Sequence, residues 1–591
     1  MMKPIGHPLR APCPLFLLTA AARYFFVTLF ALAVLAGCAG SGTVPESGAP
    51  LVIVDETLPL PIEGERLNKR AIERVSRLAK SESLLVARHE RNQLLLADID
   101  ASTLVAIDSQ LAWFSGDVTL ADQLLEKLAR DNTAALDFVL SEQEKRSALA
   151  GDWLTAAKHL FHLSRRGSAG RRGETVSDQL FAYLLRLDSA MLREQLAATN
   201  DPDWRRWLEM QVAYRQGLEA FSAWQKQTNA LPQSPAIPKH LTQWTKPPDL
   251  DRITLLLPLE GTLAAAGEAV LAGAMTQLYT LFPDPRSRPA LSAIDSTRSD
   301  DVRTAYWQAT EDGADLVIGP LTKTDVTALR QLAQRPVPVI ALNQSDDLPD
   351  RPTRDWLSLS LAPEDEARQI ADIAFGRACR NAIVIAADTH RGLRLFTAFE
   401  RRWRDRGGKL RGRLLVDDPA ETNAAMGTLL GSGSSDQRIR SIERAFDLPV
   451  DARGRGRTDF ECIFMLAPDP ATARTWRPLL VFHMTGDVPV YATSAINDGE
   501  EDTRNRDLNG VMFVETPAML PPNTGSRLTR LRALGQDAIT LALHWEQAAA
   551  TDDWIIQGET GLLRRRQNGS VERALKLATF DGPKIRSGPL R

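Results

Sequence analysis

The 591-residue sequence has only four cysteines and no large excess of charge of either sign. Its 71 basic and 74 acidic side chains leave a net charge of -3 at pH 7. Proteins that bind nucleic acid need basic side chains to neutralise phosphates, so this balance argues against a nucleic-acid partner. The 44% hydrophobic and 25% charged content is that of a globular protein. Domains usually hold about 100–200 residues, so the chain has room for several.

Recognisable catalytic and metal-binding motifs are also missing. The sequence has no Gly-x-Ser-x-Gly elbow, no His-Glu-x-x-His helix, no phosphate-binding Gly-x-x-x-x-Gly-Lys-Ser/Thr loop and no close-spaced Cys/His set. The absence of these motifs argues against an enzyme. It does not exclude one, because a dispersed catalytic triad would leave no such motif. We therefore expect a protein that is not an enzyme and that has neither a cofactor nor a metal.

The apolar run at 24–37 is short for a membrane-spanning helix, which needs about 20 residues. Lys3, Arg10 and Arg23 precede this run, and it stops at Cys38. A positive region, an apolar region and small residues in that order are typical of a secretory signal peptide. We expect 1–37 to be removed as a signal peptide.

The tetrad that ends in Cys38, Leu-Ala-Gly-Cys, resembles the bacterial lipobox. The Cys38 thiol is then the expected site of lipid attachment, and more than one acyl chain gives stable anchoring. The alternative is an ordinary signal peptide in which this cysteine is incidental. Ala39 stands where aspartate would favour retention in the inner membrane, so the outer membrane is favoured. Residues 38–62 are predicted to be a flexible tether.

Of the remaining cysteines, Cys13 lies in the predicted signal peptide, whereas Cys379 and Cys462 lie in the folded part. In an oxidising periplasm the last two could form a disulfide. Two buried, reduced thiols would explain the count equally well.

Residues 63–230 are predicted to be helical, because apolar residues recur there at three- and four-residue spacing. Two segments are related by a shift of 35 residues, Gly-Asp-Val-Thr-Leu-Ala from Gly116 and Gly-Asp-Trp-Leu-Thr-Ala from Gly151. The same shift aligns Leu125 with Leu160. A period of about 34 residues is typical of tetratricopeptide helix pairs. The alternative is a generic helical domain with a chance match.

A proline-rich linker at 231–250 ends the helical pattern. Beyond it, short β runs alternate with helices, which predicts parallel sheets covered on both faces. The predicted strands are 253–259, 291–295, 315–320, 337–343, 383–388, 412–416, 462–466 and 488–492. Loops are predicted at 431–435 and 453–457, on either side of a helix near 438–446.

We assign 251–585 to a two-lobed domain, with the first lobe at 251–360 and 511–585 and the second at 361–510. The fold class is thus α + α/β: an all-helical, tetratricopeptide-like domain followed by two lobes with parallel sheets. Ligands of such lobes bind at the carboxyl ends of the strands, where the lobes face each other. The polar residues expected there are Glu260, Thr262, Thr322, Asn343, Asp388 and Thr493. The alternative for each is a helix cap or a turn residue.

Four stretches carry a family resemblance: Leu-Pro-Leu-Glu-Gly at 257–261, Ala-Gly-Glu-Ala-Val at 266–270, Asp-Ser-Thr at 295–297 and Gly-Ala-Asp-Leu-Val-Ile-Gly-Pro-Leu at 313–321. They resemble type I periplasmic binding proteins, and Gly-Glu-Thr-Gly-Leu at 558–562 resembles the closing segment of that fold. With a lipobox and a tetratricopeptide-like domain in front, the whole chain resembles the LpoA family. The resemblance implies an outer-membrane lipoprotein that crosses the peptidoglycan, binds a bifunctional penicillin-binding protein and stimulates wall synthesis. No contact residue follows from it.

Two other functions compete with the one that the resemblance implies. The first is a lipid-anchored solute receptor that closes its lobes around an amino acid or a cell-wall fragment. The residues after Gly319 and Pro320 do not form an obvious amino-acid clamp. The second is a wall hydrolase, for which the sequence has no convincing carboxylate pair or nucleophile.

Overall fold

The computed structural model describes residues 62–166, 173–228, 237, 241, 250–298, 301–345, 353–418, 420–447, 449, 451, 455–483, 485–521, 525–550, 554–566 and 568–588. All of them belong to one compact unit, Leu58–Arg591. The predicted signal peptide, Cys38, and nearly all of the predicted tether and linker lie outside the described residues.

The first part of the described chain is helical. Its helices are α1 (Lys69–Ser81), α2 (Leu84–Leu96), α3 (Ala101–Ser115), α4 (Val118–Asp131), α5 (Leu136–Ala150), α6 (Trp153–Arg165), α7 (Gly173–Leu185), α8 (Ser189–Ala198), α9 (Pro202–Gln216) and α10 (Leu218–Thr228). Many begin at an Asp, Asn or Ser whose side chain accepts a backbone N–H of the first turn, as Asp100 and Asp188 do. Each such cap stabilises its helix by about 1 kcal/mol.

The repeated Gly-Asp pair occupies equivalent positions in two helix hairpins. Gly116 and Gly151 end α3 and α5 in the left-handed region, with φ of 93° and 78°. Asp117 and Asp152 then cap α4 and α6. A left-handed residue between two helices favours glycine because other side chains are strained there. The predicted helix pairs are therefore present at both copies of the motif.

The first sheet has the strand order β11-β12-β13-β5-β4-β3-β1-β2. Its strands are β1 (Arg252–Leu257), β2 (Ala290–Asp295), β3 (Leu316–Ile318), β4 (Val339–Ala341), β5 (Trp356–Leu359), β11 (Ile555–Gln557), β12 (Leu562–Arg565) and β13 (Ser570–Ala574). Strands β1 to β5 run parallel, and β13 joins β5 in parallel, while β11 and β12 are antiparallel additions. The accompanying helices are α11 (Ala264–Leu281), α12 (Val302–Glu311), α13 (Lys323–Arg330), α19 (Thr529–Leu543) and α20 (Trp545–Ala550).

The second sheet has the order β15-β14-β10-β9-β8-β6-β7. Its strands are β6 (Asn381–Ala387), β7 (Lys409–Val416), β8 (Cys462–Leu466), β9 (Val490–Ala492), β10 (Met512–Glu515), β14 (Lys576–Asp581) and β15 (Lys584–Ser587). Its helices are α14 (Pro363–Gly376), α15 (His390–Arg406), α16 (Thr422–Leu430), α17 (Ser432–Phe446) and α18 (Pro470–Phe482). Buried apolar side chains cover both faces of each sheet, which confirms the predicted fold class.

Two sequence-based expectations were wrong. The first lobe does not hold all of 511–585, since β10 and β14 pair within the second sheet and only α19, α20 and β11 to β13 return to the first. The chain therefore crosses between lobes again near Leu575. The glycine- and serine-rich 431–435 is not a loop: Ser432 begins α17, which Gly431 precedes in the left-handed region. Part of 453–457 lies outside the described residues.

The helical domain packs against both lobes. Side chains of α1 to α5 share one continuous core with α14, β6 and β8, and those of α6 to α10 share another with Ile555 and Leu562 of the first sheet. The backbones of α5 and α14 lie so close that a Cβ at Gly376 would be 2.3 Å from the carbonyl carbon of Leu149. Glycine is required at that crossing because any side chain would collide with backbone.

Candidate functional site

A cleft of about 890 Å³ lies where the two lobes face each other. Its first wall follows β3 and β4 and includes Leu321 and Asn343, and its second follows β5 and β6 and includes Glu364 and His390. These positions are the carboxyl ends of strands from both sheets, where open α/β folds bind ligands.

The six polar residues predicted for the cleft differ in how close they lie to it. Asn343 lines it, donating from Nδ2 to the Leu321 carbonyl at 3.0 Å. Thr322 stands between two lining residues and caps α13 by accepting the Asp325 N–H at 3.2 Å. Asp388 is exposed, and its backbone N–H donates to the Val416 carbonyl.

Like Thr322 and Asp388, the other three are not among the residues that line this cleft, so Asn343 is the one predicted residue that does. Glu260 is exposed and accepts Nη2 of Arg298 at 2.6 Å. Thr262 is exposed in a short 3-10 turn. Thr493 is buried, and its Oγ1 has no hydrogen-bond partner among the described residues. A role of any of the six in ligand binding stays a prediction.

The strongest electrostatic feature of the cleft is one face of α15, which the sequence reasoning missed. Residues at helical spacing there, Arg391, Arg394 and Arg401, line the second wall after His390. Glu364 is the acidic residue among the lining side chains, and its Oε1 pairs with Arg394 Nε at 3.0 Å. The cleft therefore has a positive excess. Arginines occur all around α15, so only the fold identifies the face that lines the cleft.

A buried polar network joins the lobes where the chain crosses between them. Arg530 of α19 pairs with Glu515 of β10 at 2.6 Å and donates to the carbonyls of Ser494 and Asn497 at 3.0 and 2.9 Å. Glu366 of α14 accepts the Ser494 N–H at 2.8 Å, and burial raises the pKa of this carboxyl. The network fixes α19 of the first lobe against strands of the second.

Cys379 and Cys462 are joined in a disulfide. Cys379 comes just before β6, and Cys462 opens β8, which pairs directly with β6. Both sulfurs are buried in the core that the second lobe shares with the helical domain.

In the described part of the chain, no group of three His, Cys, Asp or Glu could hold a metal ion. Among those same residues, no helix is long and apolar enough to cross a membrane.

Comparison with known proteins gives one family over most of the chain. The family model described as LppC putative lipoprotein matches residues 83–582. A penicillin-binding protein activator LpoA of Photobacterium profundum is 25% identical over 347 residues, covering 56% of this chain and 56% of that protein. The protein of the same name in Vibrio cholerae is 23% identical over 440 residues, covering 70% and 72%. The chain thus spans little more than half the length of the first of these relatives.

The similar solved structures include proteins of two kinds. Full-length LpoA of Haemophilus influenzae is 18% identical with a TM-score of 0.47, covering 89% of this chain and 98% of that one. A putative branched-chain amino acid ABC transporter protein of Chromobacterium violaceum is 24% identical with a TM-score of 0.42, covering 56% and 99%.

Proposed function

The chain belongs to the LppC putative lipoprotein family, and from this premise we propose that it binds and activates a bifunctional penicillin-binding protein. Its relatives in Photobacterium and Vibrio carry the name of penicillin-binding protein activator. In this proposal the chain is a regulator and not an enzyme: it stimulates peptidoglycan synthesis by contact with the synthase, which performs the chemistry.

The observation that favours an activator over a solute receptor is the packing of the helical domain against both lobes. A solute receptor closes its lobes around the ligand by a hinge motion. Here, α1 to α5 share a core with the second lobe, and α6 to α10 share one with the first. A hinge motion would have to disrupt one of these buried interfaces. A fixed arrangement of lobes suits a surface that is recognised by another protein.

The proposed location is the periplasmic face of the outer membrane. Cys38 would carry the lipid, and 38–62 would form the tether from which the folded part reaches through the peptidoglycan. Behind it we propose a helical domain at 63–230, a linker at 231–250 and the two-lobed domain at 251–585. The family description as a putative lipoprotein supports the anchor.

The proposal is tested with the purified full-length chain in detergent and a bifunctional penicillin-binding protein from the same bacterium. Glycan polymerisation and peptide cross-linking from labelled lipid-linked precursor should both be measured, with and without the chain. We expect faster synthesis at equimolar chain and recovery of the synthase by crosslinking in the periplasm. Unchanged synthesis rates together with no crosslinked synthase would refute the activator.

Cys38→Ser is the matched control, because it removes the anchor and leaves the folded part unchanged. The variant should still stimulate the synthase in solution but should fail to do so in cells.

A solute receptor remains the second candidate, since the position of the cleft suits a ligand. A receptor would bind an amino acid or a wall fragment in this cleft, so calorimetric titration should then give heat that is lost in Arg401→Gln, a substitution in the cleft wall. We expect no such heat from an activator.

A further inference from the structure

A second pocket, of about 560 Å³, lies where the helical domain and the two lobes meet. The helical domain contributes Trp153, Tyr183 and Arg186, the first lobe contributes β13, and the second lobe contributes α14. This pocket is distinct from the cleft described above, although Arg368 lines both.

Five arginines and three carboxylates line this junction pocket, and each carboxylate already has an arginine partner. Asp365 pairs with Arg368 and, at 2.9 Å, with Arg566. Asp372 accepts Arg402 Nε and Arg406 Nε, both at 2.7 Å.

The third carboxylate, Glu572, pairs with Arg566 at 3.3 Å. Two lining arginines, Arg186 and Arg573, are left without a carboxylate partner among the described residues.

Arg573 is the more buried of the two, with 2% of its surface exposed. Neither its Nε nor either Nη has a hydrogen-bond partner in the described part of the chain. Four carboxylates lie within electrostatic range, Glu366 first, but none of them is hydrogen-bonded to Arg573. Glu366 accepts the N–H and the hydroxyl of Ser494, and Asp365 pairs with Arg368 and Arg566. Glu515 is held by Arg530, and Asp537 accepts the N–H groups of Glu559 and Thr560.

Arg186 lies with its guanidinium carbon 3.9 Å from the centroid of the Trp153 ring. Its Nε is buried with no hydrogen-bond partner in the described structure. Burial lowers the pKa of Arg186 to about 10, so the group remains charged at neutral pH. A buried guanidinium without a directly paired anion is costly, because charges at a greater distance offset only part of its desolvation. Two such groups lining one pocket indicate a site that is completed by an anion.

We propose that the junction pocket binds a small hydrophilic ligand through an oxyanion, a carboxylate or a phosphate, that pairs with Arg573 and Arg186. Guanidinium groups bind these oxyanions with two parallel N–H donors, which makes them suited to this chemistry. The walls belong to all three parts of the fold, so the bound ligand holds the helical domain and the lobes together. This site is independent of the proposed contact with the synthase.

The test uses the full-length chain, with inorganic phosphate and succinate as separate probes and sodium chloride at matched ionic strength as the salt control. Calorimetric titration and thermal unfolding should both be measured. We expect saturable heat and a rise in Tm with at least one probe and not with chloride, because a ligand that binds only the folded state stabilises it. A response to phosphate alone assigns a phosphorylated ligand, and a response to succinate alone assigns a carboxylate.

Arg186→Gln should weaken the binding of the responding probe by about tenfold or more, which is the usual effect of losing a charge-assisted hydrogen bond. Arg573→Lys keeps the buried charge but removes the two-donor geometry, so it should weaken the binding of the probe to a similar extent. Arg193→Gln removes one exposed arginine from the same domain and should leave binding unchanged. The proposal is overturned if neither probe binds, or if Arg186→Gln and Arg573→Lys bind the probe as the unmodified chain does.

Discussion

Arg380 of the second lobe donates from Nε and Nη2 to the carbonyl oxygen of Trp113 at 3.0 and 2.6 Å. Trp113 lies in the last turn of α3, so this pair ties the helical domain to the start of β6. The guanidinium also lies 3.8 Å from the ring centroid of Phe375. Burial lowers the pKa of Arg380 to about 9, so the group stays charged at neutral pH.

Replacing Arg380 with Ala should destabilise the chain by about 3 kcal/mol, because buried carbonyl acceptors lose their donor and the interface loses packing. Urea unfolding at pH 7 measures this free energy. Arg404→Ala is the matched control, since Arg404 is an exposed arginine that pairs with Glu400; it should cost less than about 1 kcal/mol. Equal effects of the two substitutions would contradict the role of Arg380.

The packing of the helical domain against both lobes predicts a fixed distance between the lobes. Spin labels at Gln344 and Arg401, on opposite walls of the cleft, should give one narrow distance distribution by pulsed electron spin resonance. Adding amino acids should not move it. Arg380→Ala in the labelled chain should broaden the distribution, because it weakens one of the two interfaces. Two populations in the unmodified chain would instead indicate a receptor-like hinge.

Burial raises the pKa of Asp537 from 3.8 to about 7. Because the folded-state pKa is higher than the unfolded one, Asp537 stabilises the fold fully below about pH 4, and this contribution is lost as the pH rises to about 7. The shift corresponds to roughly 4 kcal/mol at most. In Asp537→Asn the free energy of unfolding should vary less with pH over this window. Asp388→Asn, at an exposed carboxylate, is the control; the prediction fails if both variants keep the full slope.

The Cys379–Cys462 bond should be present in the exported protein. Mass mapping without reductant should find the two peptides linked, and two free thiols would contradict the bond. The cysteines are 83 residues apart, and closing a loop of that length restricts the unfolded chain. Replacing both with Ser should therefore lower the free energy of unfolding by about 2–4 kcal/mol.

Lipid attachment at Cys38 can be tested with labelled palmitate in growing cells. The unmodified chain should incorporate the label and sediment with the outer membrane, because acyl chains partition into the bilayer. Cys38→Ser should lose both properties, whereas Cys379→Ser should keep the label. If Cys38→Ser still incorporated the label, the lipid would be attached at another residue, and Cys38 would not be the anchor.

Buried parallel strands were predictable from the sequence because they are continuous apolar runs. The strands β1 and β8, for example, are buried along almost their whole length. The strands β12 to β14 were missed since arginine, glutamate and lysine interrupt them. Strand β5 was also missed, because Ser358 interrupts an apolar run of only four residues. Which sheet the last strands join is a property of the crossover near Leu575, and no local pattern encodes it.

The candidate site was less predictable than the fold. Asn343 follows a recognisable strand, so its place in the cleft could be inferred from topology. Arg391, Arg186 and Arg573 could not, because a charged residue in a sequence is most often solvated, and only packing between distant segments places it in a cleft or pocket. The junction pocket is built from segments near 153, 186, 368 and 573, which become neighbours only when the helical domain meets both lobes.

The two cores that the helical domain shares with the lobes bear on the predicted linker at 231–250. A peptide linker usually sets how far two domains can drift apart. Here buried side chains already hold the two parts together, and Leu241 and Ile237 of this segment themselves belong to or pack against one of these cores. A protease that cut the chain within this segment should therefore leave the two fragments bound to each other.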